Sequence, residues 1–304
     1  MEIRRFEGKN KNVKKYVFTK DDSVFESVIY KYPTYKERTV ICISVQSGCP
    51  VGCVFCGTGK KFIKNLSSEE IKNQVYEVLK QENVIDIALK DEIDKFQIMF
   101  MSMGEPMLNW LNVRNAIIEL NRDFRNAQLL ISTMGIKDYA TFFDIVKNAK
   151  KIDKIGLQFS LHNSIDKARD LLIPYKNKFS IRNLRDMGLL FCQETGKKVY
   201  LNYCVSNTNS TEENITRILD VFPPNYFCLT FSVICNPDKT KKVDITDYDA
   251  LYKMQDLFLK NGYDVKIFDP AGKDDIGGGC GQLWYVQEWL KNYKYPTKNP
   301  SKIN

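Results

Sequence analysis

Residues 39–59 read TVICISVQSGCPVGCVFCGTG, an apolar, β-branched run that passes into a loop carrying three cysteines and four glycines. The run itself is strand material. Runs of the same kind recur at residues 95–103 (KFQIMFMSM), 127–134 (AQLLISTM), 154–162 (KIGLQFSLH), 197–205 (KKVYLNYCV) and 226–234 (YFCLTFSVI). Their composition predicts six strands buried on both faces. Amphipathic segments lie between them; one, SSEEIKNQVYEVLKQE from Ser67, opens with a serine cap and first-turn acids. Strands alternating with helices predict repeated βα units around a parallel sheet, open or closed.

Composition sets the frame. The chain has 304 residues, 43% hydrophobic and 27% charged, a length at which an α/β barrel folds as one domain. No apolar run is long enough to span a bilayer, and the first twenty residues are too polar for a secretory signal. A cytoplasmic protein with no membrane contact is the expectation. In a reducing compartment, nine cysteines are ligands, catalysts or core residues more often than structural disulfides. The net charge of +8 resides at the two ends, in residues 1–20 and 286–304. Such ends are ordinarily solvated tails; with Tyr16, Tyr293 and Tyr295 among them, they also suit a polyanion.

The unusual residues all follow strands. The cysteine loop follows the first; Gly104-Glu105-Pro106 follows the second; Ser132 ends the third, and Ser160 and His162 the fourth. Cys204 and Asn207 end the fifth, and Cys235 to Asp238 the sixth. In a barrel of βα units the carboxyl ends of the strands form the active-site face. An enzyme is the expected class.

Cys49, Cys53 and Cys56, spaced C-x3-C-x2-C, leave a structural zinc site one ligand short. Three thiolates can instead hold a [4Fe–4S] cluster with one iron open to a non-protein ligand. This spacing, Phe55 before the last cysteine, and the position after a first barrel strand resemble the radical-SAM superfamily. Longer blocks carry the likeness further. CISVQSGCPVGCVFCGTG, MSMGEPMLN, ISTMG, SLHNSIDKARDLLIPYKNKF and GKDDIGGGCGQL resemble, in order, the signature blocks of the RlmN/Cfr family of radical-SAM RNA adenosine methyltransferases.

The resemblance implies an α/β fold: a partial (β/α)6 TIM-like barrel of the radical-SAM type with short N- and C-terminal extensions. Residues 1–38 would be a short basic extension, 39–285 the catalytic barrel including the Cys280 loop, and 286–304 a basic tail. It implies a [4Fe–4S] cluster on Cys49, Cys53 and Cys56 and two molecules of S-adenosylmethionine (SAM) per turnover. Gly104, Glu105, Ser132, Ser160, His162 and Asn236 would form the SAM pocket. Cys280 would carry a methyl group, a radical formed from it would add to the base, and Cys42 would release the product by forming a disulfide with Cys280, later reduced by thiol exchange. Glu26 matches a carboxylate proposed to handle protons.

The implied reaction is methylation of an adenine ring carbon in ribosomal or transfer RNA, with carbon 2 favoured over carbon 8. A flavodoxin or ferredoxin would donate electrons to a monomeric enzyme. Only 25 residues precede Glu26, where family members carry an RNA-binding accessory domain, so the RNA itself is left open. A radical-SAM enzyme acting on another substrate, and a non-catalytic iron–sulfur RNA sensor, are the alternatives. The strand-end motifs for SAM rank the sensor low, and the pair of Cys42 and Cys280 ranks the methyltransferase above the other radical-SAM enzyme.

Overall fold

Apolar residues at alternate positions make each of the six expected runs a strand in the computed structural model, which describes residues 1–21, 23–235, 248–273, 275–279 and 282. The strands and helices, in chain order, are β1 (Glu2–Glu7), β2 (Val13–Lys20), β3 (Ser23–Lys31), β4 (Arg38–Ile43), β5 (Gln46–Gly48), β6 (Phe62–Asn65), α1 (Ser68–Gln81), α2 (Ile85–Leu89), β7 (Lys95–Phe100), α3 (Trp110–Asp123), β8 (Gln128–Thr133), α4 (Tyr139–Lys151), β9 (Ile155–Ser160), α5 (Asp166–Leu172), α6 (Ile181–Thr195), β10 (Val199–Val205), α7 (Glu212–Val221), β11 (Phe227–Val233), α8 (Tyr248–Lys260) and β12 (Val265–Phe268). Helix α1 starts as its sequence predicts: the Ser67 hydroxyl accepts from the Glu70 amide, and the Glu70 carboxylate accepts from the Ser67 amide.

One sheet runs in the order β1-β2-β3-β4-β7-β8-β9-β10-β11-β12. From β4 to β12 the pairings are parallel, with helical crossovers, while β1 to β4 pair antiparallel. This is the partial barrel of βα units that was expected, opened rather than closed, with a seventh parallel strand, β12, added. The expectation of burial on both faces is corrected. Ile41, Ile98, Leu129, Leu157, Leu201 and Leu229 are wholly buried on the outward face, and helices cover only that side. On the inward face the rows through Gln97, Ser132 and Asn202 are mostly polar (Gln128, Gln158, Ser160, Thr230) and for the most part only partly covered, while Met99 and Leu130 in the row of Cys42 are apolar. A polar inner wall is what a substrate-holding barrel needs and a packed core does not.

The N-terminal segment is built into the sheet. Its lysines and arginines obscure a strand pattern because their partners lie far along the chain. Glu82, just past α1, accepts hydrogen bonds from Lys14 and Tyr16, from Tyr35 at 2.8 Å and from Arg5 at 3.0 Å. Burial pulls the Glu82 pKa up, but these donors outweigh it and hold the carboxyl below its ordinary range. Lys15 faces Glu26 at 3.3 Å, and Arg4 pairs with Glu2 at 2.9 Å. Much of the basic charge read from residues 1–20 is therefore engaged within the protein. The tail 286–304 lies outside the described residues.

The sheet curls until its N-terminal strands meet the segment after β12. The Lys9 amide donates to Asp275 at 2.6 Å, and the rings of Tyr30 and Phe268 meet edge to face at 6.3 Å.

Candidate active site

The cysteine loop springs from the hairpin of β5 and β6, where the Cys49 amide donates to the Lys61 carbonyl at 2.9 Å. Gly48 has φ +75°, and a β-carbon there would fall 2.0 Å from that same carbonyl oxygen. Only glycine fits. Further along, the Cys56 amide donates to the Cys53 carbonyl at 3.1 Å, and the Val54 amide to Leu172 at the end of α5 at 3.0 Å. The loop is thus pinned at both ends, with Cys49, Cys53 and Cys56 partly exposed while Cys42, Cys192, Cys204, Cys228 and Cys235 are buried.

Burial pushes the Cys49 thiol up to about 12, with the Cys56 and Glu105 charges adding to it and the Val51 and Gly104 amides opposing it. Binding a metal centre here displaces a proton. Among the described residues, no three histidine, cysteine or acidic side chains converge as a single ion requires. A cubane takes each thiolate on a different iron, so three thiols on one loop fit it without such convergence.

Beside the loop, Gly104 (φ +93°) packs on Gln46, whose side-chain oxygen accepts from the Glu105 amide at 2.9 Å. Glu105 is buried. Its oxygens accept from Thr133 at 2.5 Å, the Met134 amide at 2.9 Å and the Met107 amide at 3.0 Å. Burial raises its pKa and these donors oppose the rise. Glu105 therefore laces the end of β7 to the end of β8. Ser132 accepts from Gln158 at 3.0 Å on the inner face, and Ser160 lies on that face at the end of β9.

His162 stands at φ +57°, an uncommon conformation for a residue with a β-carbon. Its Nδ1 accepts from the Cys204 amide at 3.1 Å, and its ring meets Phe55 of the cysteine loop edge to face at 4.9 Å. Burial, aided by the Arg169 charge, depresses the imidazole to about 3, so it is neutral. His162, Phe55, Val54, Leu172, Cys204 and Ile234 line a cavity of about 180 Å³ against the cysteine loop.

Arg169 received no role from the sequence. Its side chain is wholly buried and donates to the carbonyls of Leu161 at 3.2 Å, Phe179 at 3.0 Å, Met134 at 2.6 Å and Ser160 at 3.0 Å. Burial lowers its pKa to about 10, which leaves it charged at neutral pH. One guanidinium thus fixes the ends of β8 and β9 beneath the cysteine loop.

Cys42 is buried on the inner face of β4, opposite Val28 of β3. Glu26, two residues before Val28, shares that face. Cys280 and Asn236 lie outside the described residues, but Gly277, Gly278 and Gly279, which lead to Cys280, do not. Tyr30, on the same face of β3, donates to the Gly278 carbonyl at 2.7 Å, and a β-carbon on Gly277 would lie 3.7 Å from the Lys15 ammonium. The glycine loop is therefore seated on the strands that carry Glu26 and adjoin Cys42.

Comparison with known proteins agrees with this architecture. The radical SAM superfamily profile matches residues 43–189. The chain is similar to a probable dual-specificity RNA methyltransferase RlmN of Finegoldia magna, 31% identical over 288 residues that cover 92% of this chain and 77% of that protein. A protein of the same description from Thermotoga petrophila is 30% identical, covering 86% and 73%. A crystal structure of a radical SAM methyltransferase from Sphaerobacter thermophilus superposes with a TM-score of 0.79 at 24% identity, covering 92% of this chain and 80% of that one. At that identity the superposition bears on the fold.

Proposed function

Because this chain belongs to the RlmN family of radical-SAM RNA methyltransferases, we propose that it methylates an adenine ring carbon in ribosomal or transfer RNA, carbon 2 in preference to carbon 8, by way of a methyl group carried on Cys280. The family works with a [4Fe–4S] cluster and SAM. When bound, they supply an electron, the methyl carbon and a hydrogen-abstracting radical. Cys49, Cys53 and Cys56 would hold the cluster. Gly104, Glu105, Ser132, Ser160, His162 and Asn236 would surround SAM.

The protein's own part is positional. Glu105 and Arg169 fix the strand ends around the cysteine loop, and neutral His162 with Phe55 closes one side of it against water. Cys42 on the inner wall of β4 would take part in product release, with Glu26 moving a proton beside it. The observation that carries the reading is the hydrogen bond from Tyr30 to Gly278. It holds the loop leading to Cys280 against the strand next to Cys42, as a reaction shared by the two thiols requires.

The test separates the two cysteines. Cys42→Ala should still accept a methyl group on Cys280 and accumulate RNA crosslinked to the protein in a denaturing gel, whereas Cys280→Ala should carry neither. Normal turnover by either variant would overturn the assignment.

A further inference from the structure

The mouth of the barrel opposite the cysteine loop has an unusual lining. Arg38 and Lys95 begin β4 and β7 and stand in register, and Lys266 is the second residue of β12. Among the described residues none of the three forms an ion pair; the nearby Asp264 is taken by Lys198 at 2.8 Å. Each ring beside them is aromatic and partly exposed. The Arg38 guanidinium lies 4.9 Å from the centre of Tyr32, and the Lys266 ammonium 4.7 Å from that of Tyr200. Arg38 is held in place by Gln97, to which it donates at 3.0 and 3.3 Å.

These charges act on one another. Burial and the charges of Arg38 and Lys266 together depress Lys95. Gathered cations raise the free energy of the protein until an anion neutralises them. From this rim a line of aromatic groups leads inward. Tyr32 stacks on Tyr30 at 6.2 Å with 11° between planes, and Tyr30 reaches Phe268 and Gly278. Along β4, Arg38 and Cys42 are four residues apart, about 13 Å.

We propose that this N-terminal mouth is the entry surface for single-stranded RNA, with Lys95 and Lys266 meeting phosphates and Tyr32, backed by Arg38, stacking a base next to the target. Cations interleaved with ring faces are the chemistry of single-strand recognition; an acidic peptide would use the charges and leave the rings idle. A base must leave its stack to be modified on a ring carbon, which a single strand allows at the least cost. The inference rests on the RNA methyltransferase reading above.

The experiment measures binding of a fluorescent, adenine-containing single-stranded oligoribonucleotide to the reconstituted enzyme across a salt series. In the Lys95→Gln/Lys266→Gln variant the slope of log affinity against log salt should fall by about 0.7 for each lysine that meets a phosphate. Tyr32→Ala should weaken binding at least about fivefold, and Tyr32→Phe should not. Neutralising Lys147 and Lys151 on the outward helix α4 should change nothing. Unaltered slope and affinity in the mouth variants would overturn the proposal, as would displacement by polyglutamate with no sensitivity to Tyr32→Ala. An unaltered enzyme that methylates RNA while its mouth variants bind normally sinks the entry surface alone. One that binds RNA through the mouth but transfers no labelled methyl group from SAM sinks the function reading alone.

Discussion

Tyr30 and Gly278 are joined by a 2.7 Å hydrogen bond across 248 residues of sequence. It ties the third strand of the chain to a loop near its end. Removing it with Tyr30→Phe should lower stability by about 1 kcal/mol, visible in thermal melts. Turnover should drop by more than the folded fraction does, and limited proteolysis should cut the 275–282 segment faster. Unchanged proteolysis would mean that the loop is held by its remaining contacts.

Arg169 donates to four carbonyls from a fully buried position. Arg169→Met strands those oxygens without donors and should destabilise the fold by about 3 kcal/mol or more. Arg169→Lys keeps the charge but cannot reach all four and should fall between. Denaturant midpoints give the order; equal stability of the methionine variant would dismiss the latch.

The chain has a single histidine, so its imidazole Hε1 signal belongs to one residue without ambiguity. With a folded pKa near 3, that signal should not titrate between pH 5 and 8. The unfolded chain binds a proton below about 6.5, so the folded state gains stability as pH rises from 3 to 6.5 and holds it above. His162→Asn should remove that part of the pH dependence. A titration midpoint near 6.5 in the folded protein would contradict the buried, neutral ring.

Reconstitution with iron and sulfide in the absence of oxygen should give about four irons per chain with charge-transfer absorption. Each of Cys49→Ala, Cys53→Ala and Cys56→Ala should abolish it, while Cys204→Ala, buried in the wall of the adjoining cavity, should not. Stoichiometric zinc with no cluster would refute the metal assignment.

Much of this was open to reading in the sequence because it is local. A run such as residues 127–134 carries its own strand pattern, and a loop such as residues 48–59 carries its own spacing. What was hidden depends on distant partners. Lys14 and Lys15 look like solvent-facing charge until Glu82 and Glu26 are placed beside them, so β1 to β3 passed for a basic arm. Four-residue β12 is too short to show a period. Arg169 sits among charged neighbours on α5, and nothing local says that its side chain turns inward to the carbonyls of other elements.

The dependence of the N-terminal strands on Glu82 orders events during synthesis. Tyr16 leaves the ribosome 66 residues before the carboxylate that will accept its hydrogen bond, and Lys14 68 residues before it. In the finished fold, burying that phenol and that ammonium without their acceptor would carry a penalty of several kcal/mol, and the acceptor arrives with α1, which Glu82 caps. The outward face of the N-terminal strands is therefore expected to reach its final packing only once α1 has been made, after β4 and the cysteine loop have already emerged.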